Sequence, residues 1–237
     1  MITRRLFTLL LLLMTTQLPG QETVVLLHGL ARQPASMKKM ARALEAQDYR
    51  VLNLGYDSRH HTIEKLAETV GRQIREATAS DTRVHFVTHS MGGILVRQIQ
   101  ATAHIPNLGR VVMLSPPNQG SEVTDRIGHW CLYQKINGPA GQQLGTAPES
   151  FVNQLPDIDF ECGVLTGDRS INWINSLMIP GKDDGKVSVE SAQVEGMAAF
   201  KVVHATHTFI MKKQSVIENS IHFLKTGAFQ HSQELSL

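Results

Sequence analysis

Val87-Thr88-His89-Ser90-Met91-Gly92-Gly93 is the stretch that joins an apolar strand, predicted over 83–88, to a helix predicted over 91–103. A serine on so sharp a strand-to-helix turn is typical of a nucleophile elbow, in which the residues two before and two after the serine come close together. Gly92 meets that demand, whereas Thr88 stands where a glycine is usual. The alternative interpretation is an ordinary helix N-cap formed by this serine.

The same alternation of strands and helices extends outward from this turn. The predicted strands cover 23–27, 50–54, 83–88, 110–114, 163–166 and 201–204, and the predicted helices cover 35–47, 62–77, 91–103 and 209–225. Such alternation with short connections predicts an α/β fold, a mostly parallel sheet with helices on both faces. Its functional site is expected at the carboxyl ends of the strands. Residues 115–160 break this alternation, and a small irregular insert is predicted over about 121–160.

Composition and charge narrow the class of protein. The 237 residues, 42% hydrophobic and 19% charged, are typical of a globular domain. The 23 Lys and Arg nearly balance the 21 Asp and Glu and form no basic cluster, which argues against nucleic-acid binding. Residues 1–20 are a basic start followed by a short apolar run, which predicts a signal peptide, with an uncleaved anchor as the alternative.

This leader predicts a periplasmic or secreted protein, or one tethered to the inner membrane. The domain is then expected over 21–228, followed by a polar tail over 229–237. In an exported chain the even pair of Cys131 and Cys162 predicts one disulfide, and two buried free thiols are the alternative.

His28-Gly29-Leu30 directly follows the first predicted strand. Together with the serine turn, this stretch resembles the α/β-hydrolase superfamily, and within it the small bacterial serine lipases and esterases. In that family the residues after this glycine and after the serine each donate a backbone N–H to the oxyanion of the reaction intermediate. The resemblance therefore implies Ser90 as nucleophile and an oxyanion hole formed by Leu30 and Met91.

The resemblance also implies an acid. Family members similar to this chain carry it in an Asp-Gly-x-Val setting, which here reads Asp184-Gly185-Lys186-Val187. Asp184 is therefore the expected acid. Asp183 is the close rival, and Asp168, in the loop after the 163–166 strand, is a weaker one.

The implied base is a histidine in the loop after the last strand. His207 fits that loop, while His204 is interpreted as the final residue of the strand itself. The chain order Ser90, Asp184, His207 is the Ser…Asp…His order of this fold.

These roles predict a serine hydrolase that cleaves carboxylic esters, with a lipid or other apolar acyl group, through an acyl-enzyme. No cofactor or metal is implied, and the expected partners are a small-molecule ester or lipid and, transiently, a membrane surface; the protein is expected to be a monomer. The resemblance also implies that the insert is a lid or substrate-pocket segment. Its apolar residues would cover the acyl pocket, and the alternative is that they merely pack on the core; they are Ile127, Trp130, Leu132, Tyr133, Ile136 and Phe151. The alternatives are an acyltransferase that uses the same triad and a non-catalytic hydrolase-fold protein that binds a lipid or a partner.

Overall fold

A computed structural model describes residues 22–171 and 173–230. Six strands form one sheet in the order β2-β1-β3-β4-β5-β6, and every neighbouring pair is parallel. The strands are β1 (Thr23–Leu27), β2 (Arg50–Leu54), β3 (Val84–His89), β4 (Leu108–Leu114), β5 (Cys162–Gly167) and β6 (Ala199–Val203). The predicted α/β fold is thereby confirmed. The expected leader lies outside the described residues.

Helices connect the strands and cover the sheet. They are α1 (Lys38–Glu45), α2 (Ile63–Ala77), α3 (Met91–Ala103), α4 (Glu122–Ile127), α5 (Cys131–Gln142), α6 (Trp173–Ser176) and α7 (Gln214–Thr226). Short 3-10 turns occupy Pro34–Met37, Phe151–Gln154 and Ile210–Lys212. Within the part of the chain that the structure describes, no helix combines the length and the apolar character needed to cross a bilayer.

The core has two halves, one on each face of the sheet. Alternate residues of β1 point to opposite faces, so that Val25 and Leu27 join one cluster while Val24 and Leu26 join the other. The first cluster contains the apolar stripes of α2 and α3, and the second contains those of α1 and α7. Because β1 is buried on both faces, its sequence is a continuous apolar run rather than an alternating one.

The insert is more regular than its sequence suggests. It contains α4, α5 and a 3-10 turn, and Pro139 stands inside α5. Gly138 kinks that helix with a φ of 62°, and a side chain there would collide with the carbonyl of Arg59. The guanidinium of Arg59 donates to the carbonyls of Lys135 and Ile136 at 3.0 and 2.9 Å. Arg59, in the loop after β2, thus holds α5 near its middle.

The predicted disulfide is wrong. Cys131 is exposed at the start of α5, whereas Cys162 is buried in β5, and both are free thiols. Burial raises the pKa of the Cys162 thiol far above its usual value. Cys162 belongs to the first apolar cluster of the core, whereas Cys131 lies at the surface of the insert.

The chain packs on the domain slightly beyond α7. The ring of Phe229 lies 5.0 Å from that of Phe223, and the N–H of Gln230 donates to the side chain of Asn219 at 3.1 Å. The rest of the expected polar tail, residues 231–237, lies outside the described residues.

Candidate active site

Ser90 occupies a strained turn between β3 and α3. Its φ of 54° and ψ of −127° lie in a region that side chains other than glycine rarely adopt. The turn is locked because the Ser90 N–H donates to the carbonyl of Leu114 at 2.8 Å, and its carbonyl accepts from Gly93 at 2.9 Å. Gly92 is needed here, since a Cβ would lie 2.6 Å from the Leu27 carbonyl oxygen. Thr88 is fully buried in β3 and does not prevent this geometry.

Three polar side chains from separate loops meet at this turn. The Nε2 of His207 lies 3.0 Å from the Oγ of Ser90, and its Nδ1 lies 2.9 Å from the Oδ2 of Asp184. The His207 N–H also donates to the backbone carbonyl of Asp184 at 2.8 Å. The exposed fractions of Ser90, Asp184 and His207 are only 9%, 1% and 4%. The structure therefore brings together the three residues to which the sequence pointed.

The carboxylate of Asp184 is held from both sides. Its second oxygen accepts the backbone N–H groups of Lys186 and Val187, each at 3.0 Å. Burial alone would raise the pKa of Asp184, but the charge and the hydrogen bond of His207 lower it, and the net pKa is below its ordinary value. Asp184 is thus an anion at neutral pH, with its hydrogen bonds directed at the imidazole and at its own turn.

The rival residues make other contacts. Asp183 accepts the hydroxyl of Ser176 at 2.8 Å and the N–H of Gly185 at 2.6 Å, which stabilises the loop that carries Asp184. Asp168 pairs with His204 at 3.1 Å, and the His204 side chain is 69% exposed. This second Asp–His pair lies at the surface.

The turn after β1 carries Leu30, one of the two residues predicted to form the oxyanion hole. Arg32 N–H donates to the Gly29 carbonyl at 3.2 Å, and Ala31, at a φ of 54°, donates its N–H to the hydroxyl of Ser58 at 3.0 Å. Leu30 is carried at the centre of this turn. Met91, the first residue of α3, has an N–H for which a helix offers no internal acceptor.

Below the turn, the ring of His28 stacks on that of Tyr56, with centroids 4.1 Å apart. The hydroxyl of Tyr56 donates to the carbonyl of His28. These two contacts fix the end of β1 and hence the start of the turn that carries Leu30.

A cleft of about 560 Å³, including its solvent-open part, surrounds Ser90 and His207. Its apolar lining is Leu30, Pro117, Val123, Leu144 and Val187, and its uncharged polar lining includes Ser121, Thr124, Tyr133 and Asn137. The insert therefore forms one wall. Three of its apolar side chains, Trp130, Leu132 and Ile136, are 55%, 66% and 44% exposed. Among the described residues, no group of three or more His, Cys, Asp or Glu is arranged to hold a metal ion.

Sequence reasoning missed two charged residues of this cleft, Arg32 and Lys186. No motif in the sequence predicts a functional cation at either position. The available signal was their position alone, since Arg32 stands two residues after Leu30 and Lys186 two residues after Asp184.

Solved structures with the same architecture come from several bacteria. Phospholipase PlaB from Legionella pneumophila superposes with a TM-score of 0.69 at 20% identity, over 88% of this chain and 59% of that one. The chain thus spans less than two thirds of that phospholipase. The mature lipase BlEst2 from Bacillus licheniformis superposes with a TM-score of 0.69 at 18% identity, over 89% of this chain and 94% of that one. The lin2722 gene product of Listeria innocua superposes with a TM-score of 0.61 at 16% identity, over 90% of this chain and 96% of that one.

At these identities the likeness establishes the fold alone. A search of curated proteins gave no match. The model of the alpha/beta hydrolase family matches residues 24–183, more than half of the chain. That range contains the serine turn and the turn after β1, and it ends one residue before Asp184. Sequence match, sheet topology and the strained serine agree, and the chain belongs to the alpha/beta hydrolase family.

Proposed function

We propose that this protein is a serine hydrolase that cleaves carboxylic esters with a lipid or other apolar acyl group. The observation that carries the proposal is the buried chain of contacts from the Oγ of Ser90 through His207 to Asp184, with links of 3.0 and 2.9 Å. A serine hydroxyl at an imidazole nitrogen, with a carboxylate at the other nitrogen, is the arrangement that activates a weak nucleophile.

The first half of the reaction forms an acyl-enzyme. Ser90 Oγ attacks the carbonyl carbon of the ester while its proton moves to the Nε2 of His207. Asp184, kept anionic by its low pKa, holds the Nδ1–H tautomer and stabilises the imidazolium that forms. The tetrahedral intermediate then collapses, and His207 gives the proton to the leaving alcohol.

The second half repeats these steps with water as the nucleophile. His207 accepts a proton from the water, which attacks the acyl carbon, and the carboxylic acid leaves as Ser90 regains its proton. In both halves the backbone N–H groups of Leu30 and Met91 are proposed to donate to the oxyanion. Each such preorganised donor is worth about 3 kcal/mol of transition-state stabilisation.

The preference for an apolar acyl group rests on the wall of the cleft. Five aliphatic or proline side chains line it next to Ser90. The insert that forms one wall carries three further exposed apolar side chains outside this lining, those of Trp130, Leu132 and Ile136. An alkyl chain that leaves water for such a surface gains about 0.8 kcal/mol for each buried methylene. Longer acyl chains are therefore expected to be better substrates than acetate.

The test is hydrolysis of 4-nitrophenyl esters from acetate to palmitate by the wild type and by Ser90→Ala. We expect the variant to lose a thousandfold or more in kcat/KM, the scale for a lost triad nucleophile. A fluorophosphonate probe should label the wild type but not Ser90→Ala. Ser36→Ala, on the 3-10 turn before α1, is the control that keeps its label. Inactivity on every ester together with absence of labelling would overturn the proposal.

A further inference from the structure

The charged side chains that line the cleft are both positive. Arg32 and Lys186 both line it beside Ser90 and His207, and the described lining contains no Asp or Glu. Among the described residues, neither cation has a carboxylate within salt-bridge distance of its charged group. Two half-buried cations elsewhere in the fold do have such a partner, since Arg50 pairs with Asp81 at 2.9 Å and Arg110 pairs with Glu161 at 2.8 Å.

Both cations are held in place by their backbones. Lys186 donates its N–H to Asp184, and its carbonyl accepts the hydroxyl of Ser121 at 2.7 Å. The N–H of Arg32 closes the turn around Leu30. The backbone of each cation is thus held in a turn that carries a group proposed for catalysis, so that both side chains start from fixed points beside Ser90.

The two charges also act on one another. Loss of solvent lowers the pKa of Lys186, and the positive charge of Arg32 lowers it further. The pKa of the neighbouring His89 is lowered mainly by burial, next by the charge of His207, and then by the charge of Arg32. The negative charge of Asp184 raises the pKa of Lys186. The carboxylate oxygens of Asp184, however, already accept hydrogen bonds from His207 and from two backbone N–H groups.

Two like charges that line one cleft repel one another, and an anion between them relieves that repulsion while accepting hydrogen bonds from both. An ester of a simple fatty acid with a neutral alcohol offers no such anion. We infer that the natural substrate is an anionic ester, whose phosphate or carboxylate group binds to Arg32 and Lys186 while its carbonyl carbon lies at Ser90. This inference rests on the proposed function and specifies its substrate class.

The kinetic test compares matched pairs of esters that differ only in charge. One pair is the 4-nitrophenyl monoester of adipic acid and its methyl ester, which places a carboxylate on the acyl side. The other is dihexanoyl glycerol 3-phosphate and dihexanoylglycerol, which places a phosphate on the alcohol side. The wild type should prefer the anionic member of at least one pair in kcat/KM, and the pair that shows the preference identifies the source of the charge.

Arg32→Gln and Lys186→Gln should each lower that anionic-to-neutral ratio at least tenfold. The backbone contacts of both residues survive these changes, and Arg32→Lys and Lys186→Arg should retain the preference. Arg72→Gln on α2 and Lys38→Gln on α1, both exposed and outside the cleft, should leave the ratio unchanged. A wild type that prefers the neutral ester in both pairs would overturn the inference.

A binding measurement separates this inference from the proposed function. Octyl phosphate is titrated calorimetrically into the Ser90→Ala protein, with and without Arg32→Gln or Lys186→Gln. We expect each added substitution to weaken binding at least tenfold and added salt to weaken it as well. If neither substitution changes the affinity for octyl phosphate, the anion site is refuted even if esters are hydrolysed. Charge-dependent binding without any ester hydrolysis would support the anion site and count against the esterase proposal alone.

Discussion

The side chain of His89 donates from its Nε2 to the backbone carbonyl of His207, at 3.0 Å. A carbonyl oxygen only accepts, so the Nε2 of His89 carries the hydrogen. The two rings lie 5.0 Å apart. The residue before Ser90 thus holds the loop that supplies the imidazole to Ser90, and the two loops are joined by a backbone contact as well as by the contact between Ser90 and His207.

Buried histidines make the protein sensitive to acid. Desolvation lowers the pKa of His28, His85 and His89, and the pKa of His89 falls well below 6.5. Below pH 6.5 the unfolded chain therefore binds protons that the folded chain does not bind. The free energy of unfolding should fall as pH falls below about 6.5, by up to roughly 1.4 kcal/mol per pH unit for each of these residues.

Urea unfolding at pH 7.5 and at pH 5.5 measures this loss. His85→Gln removes one of the three groups, and its Oε1 can still accept the Arg110 N–H that His85 Nδ1 accepts at 2.8 Å. The variant should lose less stability than the wild type between the two pH values. An unchanged or steeper difference would show that folding does not lower the pKa of His85.

Two neighbouring aspartates should differ sharply in their effect on catalysis. Asp184→Asn presents an amide to the Nδ1–H of His207 and favours the wrong tautomer, so kcat should fall about 10⁴-fold. Asp183→Asn keeps an oxygen for Ser176 and Gly185, and should cost less than tenfold. Steady-state kinetics on the best ester of the 4-nitrophenyl series checks both. Equal losses would mean that Asp184 is not the acid of the site.

Two neighbouring glycines offer a second matched pair. A methyl group on Gly92 would meet backbone atoms, the carbonyl oxygens of Leu27 and His28 at 2.6 and 3.0 Å. A methyl group on Gly93 would meet the side chains of Pro116 and Met113 at 3.1 and 3.2 Å, and the thioether of methionine can move.

Gly92→Ala should therefore destabilise the protein by about 3 kcal/mol and abolish ester hydrolysis, whereas Gly93→Ala should cost about 1 kcal/mol. Urea unfolding and kcat measured on the same preparations give both numbers. If Gly92→Ala folds and works like Gly93→Ala, the turn at Ser90 is not held as tightly as its contacts with β1 indicate.

The two thiols should react differently. Cys131 is exposed and should combine with Ellman's reagent in the native protein, whereas Cys162 should react only after unfolding. One thiol per native chain and two per unfolded chain is the expected stoichiometry without any reductant. Cys131→Ser should abolish the native reaction. If no thiol reacts before reduction, the cysteines are bonded after all.

Much of the fold could be predicted because its strands are short segments rich in apolar residues that lie between turn residues. Thr23–Leu27 and Arg50–Leu54 occupy the predicted positions, and Thr62 caps α2 as its pattern suggests by accepting the Lys65 N–H at 3.4 Å. The insert was harder to predict, because Gly138-Pro139 interrupts the helical periodicity of α5.

Tertiary relationships could not be predicted in the same way. The predicted disulfide between Cys131 and Cys162 was wrong because an even cysteine count does not indicate which cysteine is buried and which is exposed. Arg32 and Lys186 belong to loops far apart in the chain, and only the parallel sheet places both at one cleft. Ser90, Asp184 and His207 were within reach of sequence reasoning because the stretches around them resemble those of the α/β-hydrolase superfamily.

The connection between Ser90 and His207 spans 117 positions of the chain, and it needs both the centre of the sheet and its last strand. During synthesis the serine turn emerges long before the imidazole that would activate it. A ribosome-bound or truncated chain ending before β6 therefore carries Ser90 but not His207. The proposed ester cleavage would then have to wait until residue 207 has been synthesised and has folded against the serine turn.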